Sequence, residues 1–265
     1  MPELPEVEAE RRFAERHLAG RTLAGVSAAP DPIVYDLASP GRVAAALRGR
    51  TVLAARRKGK HLWLELDRRP WPALHFGMGG RLHAYERASE RPPYWKLELR
   101  TADGLRVAMT NPRRLGRVRL FRDPPIEGPI ARLGPDPLLE LPPARVLAGR
   151  LAARRAPVKA VLLDQGFLAG VGNWIADEVL YQAGVDPRRP AADLRPEEVG
   201  RLRARLRSVI AKAVAVNADA SRFPRTWLFH VRWGKKDGAV TARGERIAFV
   251  TVGGRTTAWV PSAQG

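Results

Sequence analysis

A proline-rich segment divides the sequence into two parts with different hydrophobic periods, and this division restricts the folds open to the chain. Residues 123–143 contain seven prolines, which favour turns and interrupt helices and central strands. Before this segment, from Thr22 to about Arg122, apolar and polar residues alternate as they do in half-buried strands. After it, the apolar spacing becomes helical. The two patterns predict an α+β chain with a β-rich first part and a largely helical second part.

The first part predicts one helix followed by antiparallel strands. Pro5 and Gly20 suit the start and the end of a helix over residues 5–18. Asp103-Gly104 suits a tight turn between two strands. The strands predicted by alternation are His61–Leu66, Trp95–Arg100 and Leu105–Met109. We therefore expect an N-terminal antiparallel β-sandwich with a flanking helix.

The second part predicts four helices and a terminal β-hairpin. The helices are expected over about 144–154, over 158–164, from near Asn173, and over 196–216. The hairpin strands are expected over 247–252 and 256–260, with Gly253-Gly254-Arg255 as the turn. The changes of pattern along the chain predict four segments, which are residues 1–122, 123–143, 144–217 and 218–265.

The charge balance favours a polyanionic partner. The chain has 46 Lys and Arg against 27 Asp and Glu, for a net charge of +19, and nucleic acid is the first candidate for such an excess. An anionic membrane surface is a weaker candidate, because no long basic amphipathic helix stands apart from the core. The absence of cysteine excludes disulfides and thiolate metal sites. Without a signal peptide or an 18-residue apolar run, we expect a soluble, intracellular protein.

The amino terminus carries a possible nucleophile. If Met1 is removed, Pro2 becomes a secondary amine, and an α-amino group titrates near pH ~8. Such an amine forms Schiff bases with aldehyde carbons, and the adjacent Glu3 is close enough to act as a proton donor. The alternative is structural, since a proline and glutamates also favour the first turn of a helix.

Other candidates stand in glycine-rich turns or at strand ends. Asn173 follows a glycine turn that would direct backbone N–H groups at an anion. Lys60, Arg113 and Arg255 place cations beside turns, and Met78 places an apolar side chain on a glycine-rich loop. Taken singly, each cation is more often a solvated surface charge, and a lone histidine such as His75 is more often a hydrogen-bonded core residue.

Several short motifs occur in a fixed order along essentially the whole chain. They are Pro2–Glu8, the surroundings of Lys60, His75–Met78, Pro112–Arg114, Ala156–Lys159, Asp164-Gln165, Gly170–Asn173 and Ala176–Glu178. This ordered set resembles the formamidopyrimidine-DNA glycosylase / endonuclease VIII family, and an ordered set is far more specific than one motif. Residues 223–235 and 253–261 are similar to the plant and fungal members.

The resemblance implies a base-excision-repair DNA glycosylase with AP lyase activity. Its fold would be a β-sandwich, a helix–two-turn–helix domain and a β-hairpin finger, with damaged double-stranded DNA in the cleft between the domains. Pro2 would attack C1′ of a flipped, oxidised nucleotide, Glu3 would protonate the sugar, and β- and then δ-elimination would follow. The family implies no cofactor, and we expect a cytoplasmic, nucleoid-associated monomer.

The resemblance also implies contacts with the DNA backbone. Lys60 would contact the phosphate near the lesion and assist catalysis, and Asn173 and Arg255 would clamp the bent phosphate. His75 would join these phosphate contacts, and Lys159 would be a further DNA-binding residue near the lesion.

Three side chains would fill the space that the flipped base leaves. Met78 and Arg113 match the inserted residues of the family. Leu115 stands where the formamidopyrimidine type usually has a phenylalanine, and leucine stacks less well on a base.

The finger departs from most bacterial members, which close it with four zinc-binding cysteines. The matching positions here are Val240, Arg243, Val260 and Ala263, which cannot ligate zinc. The chain therefore resembles the zincless-finger branch, and we expect the hairpin to be held by packing of Ile247, Phe249, Trp259 and Val260.

The loop after the fourth helix is short for a member that caps 8-oxoguanine. We therefore expect formamidopyrimidines and hydantoins to be better substrates than 8-oxoguanine. Two other functions are compatible with the charge. A catalytically silent damaged-DNA-binding relative would have no need of Pro2, Glu3 or Lys60, and an RNA-binding or architectural protein would explain the charge without the N-terminal motif.

Overall fold

The computed structural model describes residues 2–265 and separates into two units, one ending at Arg132 and one spanning Leu133–Gly265. The boundary lies within the proline-rich segment, which forms 3₁₀ turns at Pro124–Ile126 and Ile130–Arg132. The finer division of the chain at residues 122, 143 and 217 stays a proposal. Among the described residues, no helix combines the length and the apolar character needed to cross a bilayer.

The first unit is an antiparallel β-sandwich with two helices. Its elements are α1 (Leu4–Leu18), β1 (Leu23–Ala28), α2 (Pro40–Leu47), β2 (Val52–Lys58), β3 (His61–Leu66), β4 (Trp71–His75), β5 (Arg81–Tyr85), β6 (Trp95–Thr101), β7 (Arg106–Thr110) and β8 (Arg117–Phe121). The strands form two four-stranded sheets, in the orders β1-β6-β7-β5 and β2-β3-β4-β8. Leu64, Leu97 and Met109 belong to one buried apolar core, which Leu18 of α1 also joins.

The structure confirms the helix and the three strands predicted in this unit. The predicted turn is present, since Thr101 N–H donates to Leu105 O at 2.8 Å. Helix α2 was not predicted, because it lies inside a region assigned to alternating strands. Ser39 caps this helix by accepting a hydrogen bond from Arg42 N–H at 3.2 Å, and Val43 and Leu47 bury one helical face.

The second unit contains the four predicted helices and the predicted hairpin. Its elements are α3 (Ala144–Ala152), α4 (Val158–Leu163), α5 (Asn173–Ala183), α6 (Pro196–Ala215), β9 (Ala248–Val252) and β10 (Arg255–Trp259), with 3₁₀ turns at Ala191–Asp193, Ala220–Arg222 and Leu228–His230. Helix α3 ends two residues earlier than predicted. Strands β9 and β10 pair in register from Arg255↔Val252 to Trp259↔Ala248.

Candidate functional site

The amino terminus presents Pro2 and Glu3 immediately before α1. Glu3 is the N-cap residue of this helix, and its backbone N–H donates to the Glu6 carboxylate at 3.0 Å. Leu4 and Val7 are buried and hold the first turn against the sandwich. Glu3 is only 3% exposed, whereas Pro2 is half-buried. The predicted removal of Met1 concerns a residue outside the described part of the chain.

A buried ion pair joins α1 to the turn that carries Lys60. Arg57 Nε donates to Glu8 Oε2 at 3.1 Å, and Arg57 Nη1 donates to Gly59 O at 2.9 Å. Burial opposes the charge on Glu8, but hydrogen bonds from Arg11 and Arg57 outweigh it and lower the pKa of the carboxyl. Lys60 itself is nearly buried in the tight β2–β3 turn. The Glu8–Arg57 pair therefore fixes the Lys60 turn relative to the helix that begins at Pro2.

His75 lies at the end of β4 against a second histidine. It pairs with His61 across β3 and β4, with the ring centroids 4.9 Å apart. Burial, together with the charges of Lys60 and nearby arginines, lowers the pKa of His75 to about 4. Gly77 N–H donates to His75 Nδ1 at 3.3 Å, which leaves the ring proton on Nε2. His75 therefore offers a hydrogen-bond donor without a positive charge.

Met78, Arg113 and Leu115 lie on two loops that one buried side chain joins. We call these loops, residues 76–80 and 111–116, the wedge loops. Asn111 Nδ2 donates to Phe76 O at 2.7 Å, and Asn111 Oδ1 accepts from Gly116 N–H at 2.9 Å. Leu115 is 46% exposed although it is apolar, and Arg113 is exposed beside it. The structure thus brings the three predicted wedge residues onto one connected support.

Glycine is required where the wedge loops touch. Gly77 has φ +58°, and a Cβ there would lie 2.3 Å from the backbone carbon of Leu115. The far loop is also anchored, because Arg114 Nε lies 3.0 Å from the Asp31 carboxylate and Lys96 Nζ lies 2.8 Å from it. Sequence reasoning identified the glycines and the cations of these loops. It missed Asn111 and Asp31 as their anchors, because the Asn111–Phe76 and Asp31–Arg114 contacts join residues far apart in the chain.

In the second unit, a glycine turn and the hairpin meet at Asn173. The turn before α5 is held by Gln165, which donates to Val171 O at 2.8 Å and accepts from Gly170 N–H at 3.0 Å. Asn173 Nδ2 donates to Thr256 O at 2.9 Å. Since Arg255 is exposed and precedes Thr256, the structure brings these two predicted phosphate ligands into one neighbourhood.

Lys159 is placed differently from its predicted role. Its side chain is completely buried, with Nζ 2.5 Å from Asp177 Oδ1 and donating to Thr257 Oγ1 at 2.7 Å. Arg232 Nη2 donates to Asp177 Oδ2 at 2.6 Å, and Ala258 N–H donates to the same oxygen at 3.1 Å. Lys159 has no exposed surface with which to contact DNA, so we propose a positioning role for it instead.

The hairpin is held to α5 by packing and by hydrogen bonds. Ile247 and Val260 belong to a buried cluster on which Phe249 packs, as predicted. Trp259, the fourth predicted residue, lies outside that cluster. The Arg188 guanidinium carbon lies over its ring, 4.2 Å from the ring centroid. Another contact joins the base of the finger, where Tyr181 Oη donates to Glu245 Oε2 at 2.8 Å. Among the positions matched to zinc ligands, Val240 and Arg243 are exposed, whereas Val260 is buried and Ala263 is half-buried.

The predicted site residues divide between the two units. The first unit holds Pro2, Glu3, Lys60, His75, Met78, Arg113 and Leu115, and the second holds Lys159, Asn173 and Arg255.

Three family models match successive parts of the chain. The formamidopyrimidine-DNA glycosylase N-terminal domain matches residues 1–118, the formamidopyrimidine-DNA glycosylase H2TH domain matches residues 133–225, and the formamidopyrimidine-DNA glycosylase-like C-terminal domain matches residues 227–261.

Similar proteins carry the same family name. The chain is 44% identical to a formamidopyrimidine-DNA glycosylase of Arabidopsis thaliana, over all of this chain and 71% of that protein. It is 38% identical to one of Paracoccus denitrificans, over 84% of this chain and 81% of that protein. A Lactococcus lactis variant bound to Fapy-dG-containing DNA is similar in structure, with a TM-score of 0.87 and 26% identity over 99% of both chains. A complex of the Lactococcus lactis protein with abasic-site DNA matches with the same TM-score and coverage at 25% identity.

Proposed function

This chain belongs to the formamidopyrimidine-DNA glycosylase family of base-excision-repair glycosylases, and we propose that it is bifunctional, excising oxidised bases and then cleaving the strand as an AP lyase. The observation that carries the proposal is the placement of Pro2 beside Glu3 at the start of α1. We further propose that it acts as a monomer on double-stranded damaged DNA, in the cytoplasm and in association with the nucleoid.

The proposed reaction begins at the Pro2 amine, which requires a chain that starts at Pro2. Its lone pair forms a bond to C1′ while the glycosidic bond breaks, and the departing base takes a proton. Glu3 donates a proton to O4′, the sugar ring opens, and the amine loses its proton to give the Schiff base. Loss of a C2′ proton then expels the 3′ phosphate by β-elimination. Loss of a C4′ proton then expels the 5′ phosphate by δ-elimination, and hydrolysis of the iminium bond by water releases Pro2.

The residues near the amino terminus are suited to hold the sugar and its phosphate. The buried Glu8–Arg57 pair fixes the turn that carries Lys60, and we assign Lys60 to the phosphate near the lesion. His75 would contribute a neutral Nε2–H to the same phosphate region, since its pKa is lowered to about 4. A neutral donor holds a phosphate by a hydrogen bond and adds no charge to be desolvated.

The wedge loops are suited to replace an extruded base. Met78 and Leu115 supply apolar contact, and Arg113 supplies a cation, as inserted side chains do in kinked duplexes. Joining both loops through Asn111 would let them act as one rigid insertion. On the second unit we assign phosphate contacts to the Asn173 amide and to the exposed Arg255 guanidinium.

We propose that formamidopyrimidines and hydantoins are better substrates than 8-oxoguanine. The segment that follows α6 is short and folds at once into the 3₁₀ turns Ala220–Arg222 and Leu228–His230, which leaves little free loop to close over a base. Single-turnover excision rates on matched duplexes test this preference. Equal rates for 8-oxoguanine and formamidopyrimidine would refute it.

Borohydride trapping tests the reaction itself. Protein whose intact mass shows that it starts at Pro2 is incubated with duplexes carrying an abasic site, formamidopyrimidine, hydantoin, 8-oxoguanine or no damage. We expect an adduct on the damaged duplexes, mapped by mass spectrometry to Pro2. Glu3→Gln should slow excision by roughly 10²- to 10⁴-fold. Arg16→Ala, an exposed change on the same helix, is the control and should behave like the parent protein.

The same experiment separates the second candidate function. A protein that binds the damaged duplexes tightly but forms no adduct on any of them and excises no base is a catalytically silent damaged-DNA-binding protein. That outcome would overturn the proposed lyase.

A further inference from the structure

Five aromatic side chains form a cluster beside the start of α5. This aromatic cluster consists of Trp174, Phe223, Trp227, Phe229 and Trp233. Its ring centroids lie 4.9–6.4 Å apart, the range in which aromatic pairs are favourable. Trp174, Phe223 and Trp227 are buried, whereas Trp233 is 51% exposed. The cluster therefore ends in an indole that is open to solvent.

The exposed indole is held from two directions. Phe229 meets it edge-on, with the centroids 5.4 Å apart, and the Arg232 guanidinium lies 4.5 Å from its centroid. Arg232 is itself buried and bonded to Asp177, the carboxylate that also pairs with Lys159. A ring fixed by a buried ion pair loses little further freedom when it binds a ligand.

The surroundings of Trp233 carry a positive charge. Lys235 and Lys236 follow it on an exposed turn, and Asp237 offsets one of them. An open aromatic ring among cations matches a ligand that has flat rings joined to an anionic backbone, which is the chemistry of a nucleic-acid strand. A purely apolar partner would gain nothing from the lysines.

We propose that Trp233 is a base-stacking residue, whose open surface receives an unstacked nucleobase of the bound DNA. This inference rests on the proposed function for the identity of the polyanion. The stacked base is either the damaged base itself or an undamaged base of an unpaired strand, and both offer the same flat ring. Arg232 is then a positioning residue, because it acts on the base only through the indole.

Two substitutions distinguish a base-stacking role of Trp233 from a role in which it only shields the aromatic cluster from solvent. Trp233→Phe keeps a flat aromatic ring, whereas Trp233→Leu keeps apolar bulk without one. An apolar cover would tolerate both changes. A stacking residue tolerates phenylalanine and not leucine, since only the aromatic ring offers a π-face. Thermal unfolding of both variants checks that the aromatic cluster stays folded.

Dissociation constants at one fixed salt concentration are measured for three ligands. They are an undamaged single strand, a duplex with a formamidopyrimidine, and a duplex with a stable abasic-site analogue. We expect Trp233→Leu to weaken binding to at least one base-bearing ligand by about 5- to 150-fold, and Trp233→Phe by less than about threefold. Weaker binding to the formamidopyrimidine duplex alone identifies the damaged base as the ligand. Weaker binding to the single strand as well shows that any unpaired base can be the ligand.

Two outcomes would overturn the stacking proposal. In one, Trp233→Leu binds all three ligands as tightly as the parent protein. In the other, leucine and phenylalanine weaken binding equally. Borohydride trapping of the parent protein is a separate measurement. If no Pro2 adduct forms but Trp233→Leu still weakens DNA binding more than Trp233→Phe, the lyase proposal is refuted and the stacking proposal stands.

Discussion

Asn111 is expected to hold the wedge loops together, and the structure allows the cost of removing it to be worked out. In Asn111→Ala, Phe76 O loses one donor but keeps Gly80 N–H at 3.2 Å, so the loss there is about 1 kcal/mol. Gly116 N–H loses its acceptor in the interior, which costs about 1–3 kcal/mol. The free energy of unfolding should therefore fall by about 2–4 kcal/mol.

Two measurements test this prediction at different scales. Urea denaturation reports the free energy of unfolding, and amide hydrogen exchange reports local opening of residues 76–80 and 111–116. In Asn111→Ala, we expect amide exchange at Gly116 to accelerate, relative to the parent protein, more than exchange elsewhere in the sandwich. Binding to a damaged duplex should also weaken, because loose loops must be ordered on insertion.

Arg113→Ala is the matched control, since Arg113 is exposed on the same loop. It should change stability by less than about 0.5 kcal/mol, while lowering DNA affinity and reducing the salt dependence of binding. The reasoning fails if Asn111→Ala costs less than about 1 kcal/mol and leaves exchange at Gly116 unchanged.

Two further predictions concern buried charge and pH. Asp177→Asn should lower the free energy of unfolding by about 3–5 kcal/mol in urea titrations, because it leaves buried cations without their carboxylate. The control is Asp186→Asn, in a more exposed ion pair, which should cost less than about 1 kcal/mol. Similar losses in the two variants would contradict this account. Burial lowers the pKa of His61 to about 3 and that of His75 to about 4, so the unfolded chain binds these protons first, and the contribution of the two histidines to stability should fall as pH drops from ~6.5 towards ~4. Burial raises the pKa of Glu10 and of Glu178 to about 7, and these carboxyls act in the opposite direction over the same range. Relative to the parent protein, His61→Phe should lose less stability, or gain more, as pH drops across that range in urea titrations. An identical pH dependence of the two proteins would show that His61 does not contribute.

Local signals in the sequence were sufficient for much of the fold and for part of the site. Proline at the start of α1 and the glycines before Asn173 act on their own neighbours, so their effect could be predicted from short stretches. The alternating strands β3, β6 and β7 were found for the same reason. Helix α2 was missed because eight residues of helical spacing were too few to stand out in an alternating region.

The support of the site could not be predicted, because it depends on contacts between distant residues. Asn111 and Phe76 are 35 positions apart, and Arg232 and Asp177 are 55 apart. Lys159 shows the same limit. Its motif identified a cation, but only the packing of α4 against α5 and β10 determines that the cation is buried. Whether a charge reaches solvent is a property of the tertiary structure.

The position of Asp177 also limits how segments can be exchanged between relatives. Residues 218–236 bring Arg232 to this carboxylate. Transplanting that segment into a scaffold without the aspartate would bury a guanidinium with no counter-charge. Residues 218–236 and Asp177 should therefore have changed together during divergence, and a chimera that moves Trp233 to a new host must move its buried partners as well.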